Sequence, residues 1–516
     1  MATGSSLRRS LFPFMRTSIS DPLQIAEIEA VPGGGRLGLT LCPGKQQLGG
    51  LTGAWSRDLT LDLDAVEAWN AASVVTLVEA HDLERLKVPA LGEAVRDRYM
   101  EWHHLPIRDR DVPDAAFEVE WAVVGEALRS QLRHGFNVLL HCQGGLGRAG
   151  MIASRLLVEL GWTPGDAAKE VRRVRPGAIE TDEQMDHVFG CIAVPEHVPD
   201  TSVDAIRSRA IGSLLGLAVG DALGTTLEFT PRDSRPRLTD MEGGGPFRLE
   251  PGQWTDDTSM ALALGDSLLA CNGLNPHDLM TRFVAWWQDG AYSSTGSCFD
   301  IGMTVRAALS RFRQTDDPIA GSTDPMSAGN GSLMRLAPVA IRYWDDPDAL
   351  ADAAARQSRT THGAPEAVDA CVVYAQILAD AIAGRPRSEV LRDREGSHAG
   401  AISNIVAGSW RGKRREEIRA SGYVAHSLEA ALWCVGRTGR FAEAVLLAAN
   451  LGEDADTTAA IAGQLAGSLY GHKAIPRHWL GKLHGQGLIY GMATSLIDAT
   501  SARKEPPPWP EWRAQG

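Results

Sequence analysis

Apolar positions in the first 190 or so residues come in short runs, separated by polar stretches with helical spacing. Arg36–Cys42 reads as extended, Leu61–Trp69 as helical, and Ser73–Val78 as a brief β-branched run. Met100–Ile107 is extended again, and Phe117–Leu132 repeats at helical intervals. Phe136–Leu140 has the unbroken apolarity of a buried strand. This alternation predicts an α/β domain with a central, mainly parallel sheet. From Asp204 onward strand signals nearly vanish, and Ala, Leu and Gly recur at helical spacing, which predicts an all-α domain.

Between the two patterns lies Val194–Pro195–Glu196–His197–Val198–Pro199–Asp200–Thr201–Ser202, whose prolines and polar residues mark a linker. The expected organisation is therefore a tail (1–20), an α/β domain (21–193), a linker (194–203), a helical domain (204–500) and a Pro-rich tail (501–516). Within the helical part, Gly212, Gly216 and Gly220 share one stripe, and Gly463 and Gly467 form a second. A glycine inside a helix costs roughly 1 kcal/mol against alanine, so such stripes predict backbones in very close contact.

Composition narrows the function classes. A chain of 516 residues exceeds one ordinary core. The net charge of −13 argues against a general nucleic-acid or anionic-membrane partner. The two dense basic clusters, Arg172–Arg175 and Arg411–Arg415, read as solvated faces. Seven scattered cysteines form no disulfide framework. The Leu11–Met15 patch is too short for a signal-peptide core, and no segment is read as reaching transmembrane length. The expected compartment is a reducing cytoplasm.

Two constellations carry chemistry. The first is His141–Cys142–Gln143–Gly144–Gly145–Leu146–Gly147–Arg148, set between the last predicted strand and a helix. A glycine-rich turn at that place aims backbone N–H groups at one anion. Arg148 can close on the anion with a two-pronged contact, and the same positive field favours the nucleophilic thiolate at Cys142. The pattern resembles the cysteine-dependent protein tyrosine and dual-specificity phosphatases. His103–Asp109, Pro113–Asp114 and the loop itself look like the kinase-associated phosphatase branch. That resemblance implies that Cys142 attacks phosphorus, Arg148 holds the phosphoryl oxygens, Asp109 protonates the leaving oxygen, and His141 orients the loop. Asp111 and Asp114 stay open as alternatives to Asp109, and Gln184 is a candidate for positioning water. No cofactor is implied there. One departure stands out: the family carries Ser or Thr after the arginine, to stabilise the departing thiolate, and this chain has Ala149.

The second constellation is split. Thr255–Asp256–Asp257–Thr258 and Asp454–Ala455–Asp456–Thr457 each open an apolar helix nearly 200 residues apart. Acidic residues there can cap a helix, and two such clusters facing each other can hold hard cations. Together with Gly220–Asp221–Ala222–Leu223–Gly224, Glu228, Ser327–Arg335 and Thr360–Gly363, they resemble the ADP-ribosylglycohydrolase family. The resemblance implies an all-α domain with two Mg²⁺ or Mn²⁺ ions held by Thr255, Asp256, Asp257, Asp454, Asp456 and Thr457. It further implies a mobile acid/base at Glu228, and ADP-ribose contacts at Asn330, Gly331, Ser332 and His362. Asp221 either orients a metal-bound water or caps.

The reading is a bifunctional hydrolase. One domain would release ADP-ribose from a modified protein or small acceptor, and the other would hydrolyse a phosphorylated protein or small phosphomonoester. The alternative makes the first domain a slow or inactive phosphate-binding module that recruits substrate. Neither reading calls for nucleic acid or a membrane.

Overall fold

The computed structural model describes residues 15–50 and 53–504. Most of the tail expected over 1–20, and of the Pro-rich tail over 501–516, lies outside the described residues. Two corrections arise at their edges. Arg16 is bridged to Trp55 rather than loose, and the last helix runs on from Gln486 to Lys504. The chain divides into two compact units, Met1–Glu196 and His197–Gly516.

The first unit is built on a five-stranded sheet of β1 (Ala26–Glu29), β2 (Arg36–Leu41), β5 (Ala71–Thr76), β6 (Glu101–His104) and β7 (Asn137–Cys142), in the order β1-β2-β7-β5-β6. All pairings are parallel except β1 with β2. The sheet is thus mixed at one edge, where the sequence carries no long apolar run. A separate ribbon pairs β3 (Gln46–Gly50) with β4 (Gly53–Ser56). Strand β7 is central, its apolar side chains are fully buried, and its last residue is Cys142. Helix α1 (Ala115–Arg133) starts where the Asp114 carboxylate accepts from the Phe117 amide at 2.9 Å, a side-chain N-cap. Helix α2 (Gly147–Glu159) follows β7 directly.

The second unit is helical around one central pair, α3 (Val203–Gly224) and α6 (Ala455–Tyr470). Between them in sequence lie α4 (Asp256–Ala270), which carries one acid cluster, and α5 (Met303–Thr315). The close backbone contact that their spacing predicts is made between the two glycine stripes themselves. A Cβ at Gly216 would stand 2.2 Å from the Gly463 carbonyl oxygen, and one at Gly220 would stand 2.1 Å from that of Ala459. Gly212 faces Gly467, and Gly224 faces Ala455 in the same way. No side chain fits at these points, so the register of α3 on α6 is set by glycine. That register lays the C-terminal end of α3, with Asp221, against the N-terminal end of α6, with Asp456.

The same helix corrects an expectation. By length and composition Val203–Leu227 qualifies as a membrane span. Its most apolar window is 94% buried inside the protein, because α3 is the core helix of this unit.

Candidate functional site

In the first unit the Gln143–Gly147 turn lies beyond the carboxyl end of the central strand, the usual place for ligands on an α/β sheet. Gly145 has a φ of +69°, and a Cβ there would lie 2.4 Å from the Thr40 carbonyl, so both conformation and space demand glycine. Arg148 is buried in the first turn of α2 and held on three sides. It donates to the Ile107 carbonyl at 2.9 Å, lies 3.6 Å from Asp82, and pairs with Asp109 at 2.9 Å. The Asp109 side chain is 68% exposed despite that pairing. Asp114 is engaged as a helix cap, and Asp111 accepts from the Val112 amide.

His141 is fully buried, with Nε2 2.7 Å from the Thr76 hydroxyl. Burial pushes it down to about 3, which leaves a neutral ring suited to bracing the loop. Gln143 is held by Arg85 at 2.8 Å and by Gln47 at 3.3 Å.

Three features were not legible in the sequence. Arg175 donates to the Gly144 and Gly145 carbonyls at 3.0 and 3.1 Å, and Arg172 donates to the Ala178 and Ile179 carbonyls. Part of that basic cluster therefore braces the loop instead of forming a solvated face. Gln184 is buried, accepting from the Glu180 amide and donating to the Asp111 carbonyl. Finally, the Gly147 amide, one of the cradle's donors, gives its hydrogen bond to Glu180 at 3.0 Å. Ala149 is buried in the first turn of α2 and brings no hydroxyl.

In the second unit a cavity of about 800 Å³ is lined by Glu228, Phe229, Asp256, Asp300, Asn330, Gly331, His362, Asp454, Asp456 and Thr457, among others. Asp221 organises its floor. One oxygen accepts from the amide and hydroxyl of Thr255, at 2.8 and 2.9 Å, and the other from those of Thr258, at 3.0 and 2.6 Å. These four bonds fix the turn that projects Asp256 and Asp257. Asp257 approaches Asp456 across the floor, with the Thr255 hydroxyl 3.2 Å from an oxygen of each. The Thr457 hydroxyl lies 3.4 Å from Asp257.

Carboxylates of Asp221, Asp257 and Asp456 lie within 4.8 Å of one another, and so do those of Glu228, Asp454 and Asp456. Burial, then mutual repulsion, raises Asp221 and Asp454 to about 7 and Asp300 to about 11, and lifts Asp256, Asp257 and Glu228 as well. A proton or a cation must relieve such crowding. Asp257 Oδ1 is buried with no hydrogen-bond partner, an oxygen left over for a cation. The donor set fits hard divalent ions, with Asp456 common to both groups. Asp221, with both oxygens spent on the threonines, serves as scaffold.

The remaining predicted residues sort clearly. Glu228 accepts from the Ala455 and Asp456 amides at 2.8 and 3.3 Å and so caps α6 from outside. Asn330 donates to Asp454 at 2.7 Å, steadying a candidate ligand while it lines the cavity. His362 is buried against Thr361, and burial lowers it to about 3, so its ring is neutral. A Cβ on Gly331 would stand 2.8 Å from that ring, which accounts for the glycine. Ser332 turns to Ser358 and Cys371 and does not line the cavity. Asp300 was not anticipated: its place in the cavity depends on a left-handed backbone (φ +59°) that no sequence pattern announces.

The model of the ADP-ribosylglycohydrolase family matches residues 202–506, more than half of the chain. The chain belongs to the ADP-ribosylglycohydrolase family. A Swiss Army Knife protein, DSP-PTPase phosphatase domain, matches residues 56–188. The helical unit is similar to the ADP-ribosylarginine hydrolase Tri1 of Serratia proteamaculans, 46% identical over 56% of this chain and 79% of the relative. It is also similar to the ADP-ribosyl-[dinitrogen reductase] glycohydrolase of Rhodospirillum rubrum, at 34% over 54% and 91%. A solved ADP-ribosylglycohydrolase-related protein complex covers 58% of this chain and 100% of its own, at 41% identity and a TM-score of 0.52. The family is metal-dependent, typically on Mg²⁺, and the carboxylate groups at the cavity floor are compatible with that.

Proposed function

We propose that the helical unit hydrolyses the bond between ADP-ribose and an arginine-type acceptor, using a pair of divalent cations. The observation that carries this reading is the meeting of two acid clusters at the floor of one cavity, with one buried Asp257 oxygen lacking a hydrogen-bond partner. Thr255, Asp256, Asp257, Asp454, Asp456 and Thr457 would hold two Mg²⁺ or Mn²⁺ ions, which when bound orient ribose hydroxyls and acidify a water. Burial, and the Asp456 carboxylate beside it, raise Glu228 in the metal-free site, and Glu228 would supply the proton to the departing nitrogen. The arginine acceptor is drawn from the similarity to an ADP-ribosylarginine hydrolase. The proposed compartment is a reducing cytoplasm, on the scattered spacing of an odd number of cysteines. ADP-ribose release from ADP-ribosylated agmatine, with and without chelator, tests the reading. Release that survives both chelation and the pair D256A/D456A would sink it.

For the first unit the geometry supports phosphomonoester hydrolysis through Cys142, with Arg148 binding phosphate and Asp109 donating the proton. A second reading is favoured by two observations: Ala149 removes the hydroxyl that assists thiolate departure, and Glu180 occupies the Gly147 amide. On that reading the unit captures a phosphorylated partner and turns over slowly. Trapping of a phosphocysteine by mass spectrometry, together with steady-state turnover, separates the two.

A further inference from the structure

The rim of the second unit's cavity holds a residue that the cation site does not account for. Phe229 follows Glu228, lines the cavity, and is 67% exposed. Its backbone is left-handed (φ +55°), a costly state for a bulky side chain. The surroundings enforce it. Phe229 N donates to the Glu453 carbonyl at 2.8 Å, and Glu453 N donates to the Thr230 carbonyl at 2.9 Å. Glu453 is itself left-handed (φ +59°) and lines the same rim. The Phe229 ring meets Phe247 at 6.2 Å, and Phe247 meets Phe299 at 5.3 Å. Since Phe299 precedes Asp300, the aromatic trio ties together the loops that carry Glu228 and Asp300.

An exposed aromatic ring is therefore fixed, against strain, on a rim shared with Glu228, Asp300 and Glu453, and with Arg232, whose guanidinium is spent on the Leu451, Arg415 and Ile418 carbonyls. A neutral planar acceptor uses the ring face alone, and an anionic one meets carboxylate repulsion. A planar cation gains a ring face to stack on and carboxylates for its N–H edge. We infer that Phe229 and Glu453 form an acceptor subsite that selects a guanidinium group, Phe229 by stacking on its face and Glu453 by accepting from its edge. This rests on the hydrolase reading and adds to it which residues choose the acceptor.

Product inhibition of the full chain with Mg²⁺ tests it, using agmatine and free ADP-ribose as separate inhibitors. F229L and E453Q are expected to raise the agmatine inhibition constant relative to that of ADP-ribose by roughly 3- to 30-fold, and F229W to restore the ratio. Melting curves confirm that the variants fold. Inhibition constants that move together, or neither moving, overturn the subsite while leaving the hydrolase reading intact. A wild-type chain with no chelator-sensitive release of ADP-ribose removes both.

Discussion

The two candidate sites are opposites in construction. The first is a turn that suits an anion: seven consecutive residues from Cys142 to Arg148 bend through glycines, and Arg175 braces the turn from outside. The second gathers acceptors, compatible with cations, from segments far apart in sequence that meet because glycines let α3 lie on α6. A local motif needs only a strand and a helix to hold it. A dispersed one needs the whole domain in register. Damage to packing far from the chemistry should therefore cost the second site more than the first.

The largest effect follows from removing ligands. D256A with D456A is expected to lower ADP-ribose release by more than ~100-fold, given that even outer partners of metal ligands are worth 10- to 100-fold. The same pair should leave aryl phosphate turnover unchanged. Next comes register. G220L forces a side chain into the Ala459 backbone, and overpacking of that kind is expected to cost about 3 kcal/mol or more. Melting of the second unit should fall, and metal affinity with it. An equally large substitution at an exposed helix position is the control.

A smaller effect sharpens the anion side of the comparison. If Ala149 limits thiolate departure, A149S should speed breakdown of the phosphocysteine by about tenfold, the worth of one hydrogen bond to a charged group of ~1.5 kcal/mol. C142S must abolish that turnover, and comparable rates in C142S would defeat the nucleophile assignment.

How legible each site was follows from the same contrast. The strand–turn–helix from His141 to Arg148 was readable almost whole, because its residues are adjacent and their types dictate the turn. What escaped was its support. Arg172 and Arg175 looked like a solvated run, and Glu180 and Gln184 take their roles from a fold-back that spacing does not show. In the helical unit both acid clusters and both glycine stripes were visible, but that the stripes pack on each other and bring the clusters together was not. Asp300 was not visible, because a left-handed aspartate has no signature. Ser332 was over-read, since a hydroxyl in a glycine loop can face inward as readily as toward the cavity. The antiparallel edge strand Ala26–Glu29 is too short and polar for periodicity to find.

A further effect, the smallest, is a dependence on pH. Asp221 and Asp454 sit near 7 in the folded chain against an ordinary 3.8. With carboxyls raised, the folded metal-free protein keeps protons that the unfolded chain has released. The stability they contribute is present below about pH 4 and is lost as pH rises toward 7. Divalent cations compete with those same protons, so the rise in melting temperature on adding Mg²⁺ should grow from pH 5 to pH 8. A rise independent of pH would separate metal binding from these carboxylates.

The central claim is that the two acid clusters form one cation site. Calorimetric titration of the full chain with Mn²⁺ tests it most directly, comparing wild type, D256A and D456A. The account predicts two bound ions in the wild type, and weakened binding in both variants although the mutated residues are 200 positions apart. Undiminished binding in either variant would contradict it.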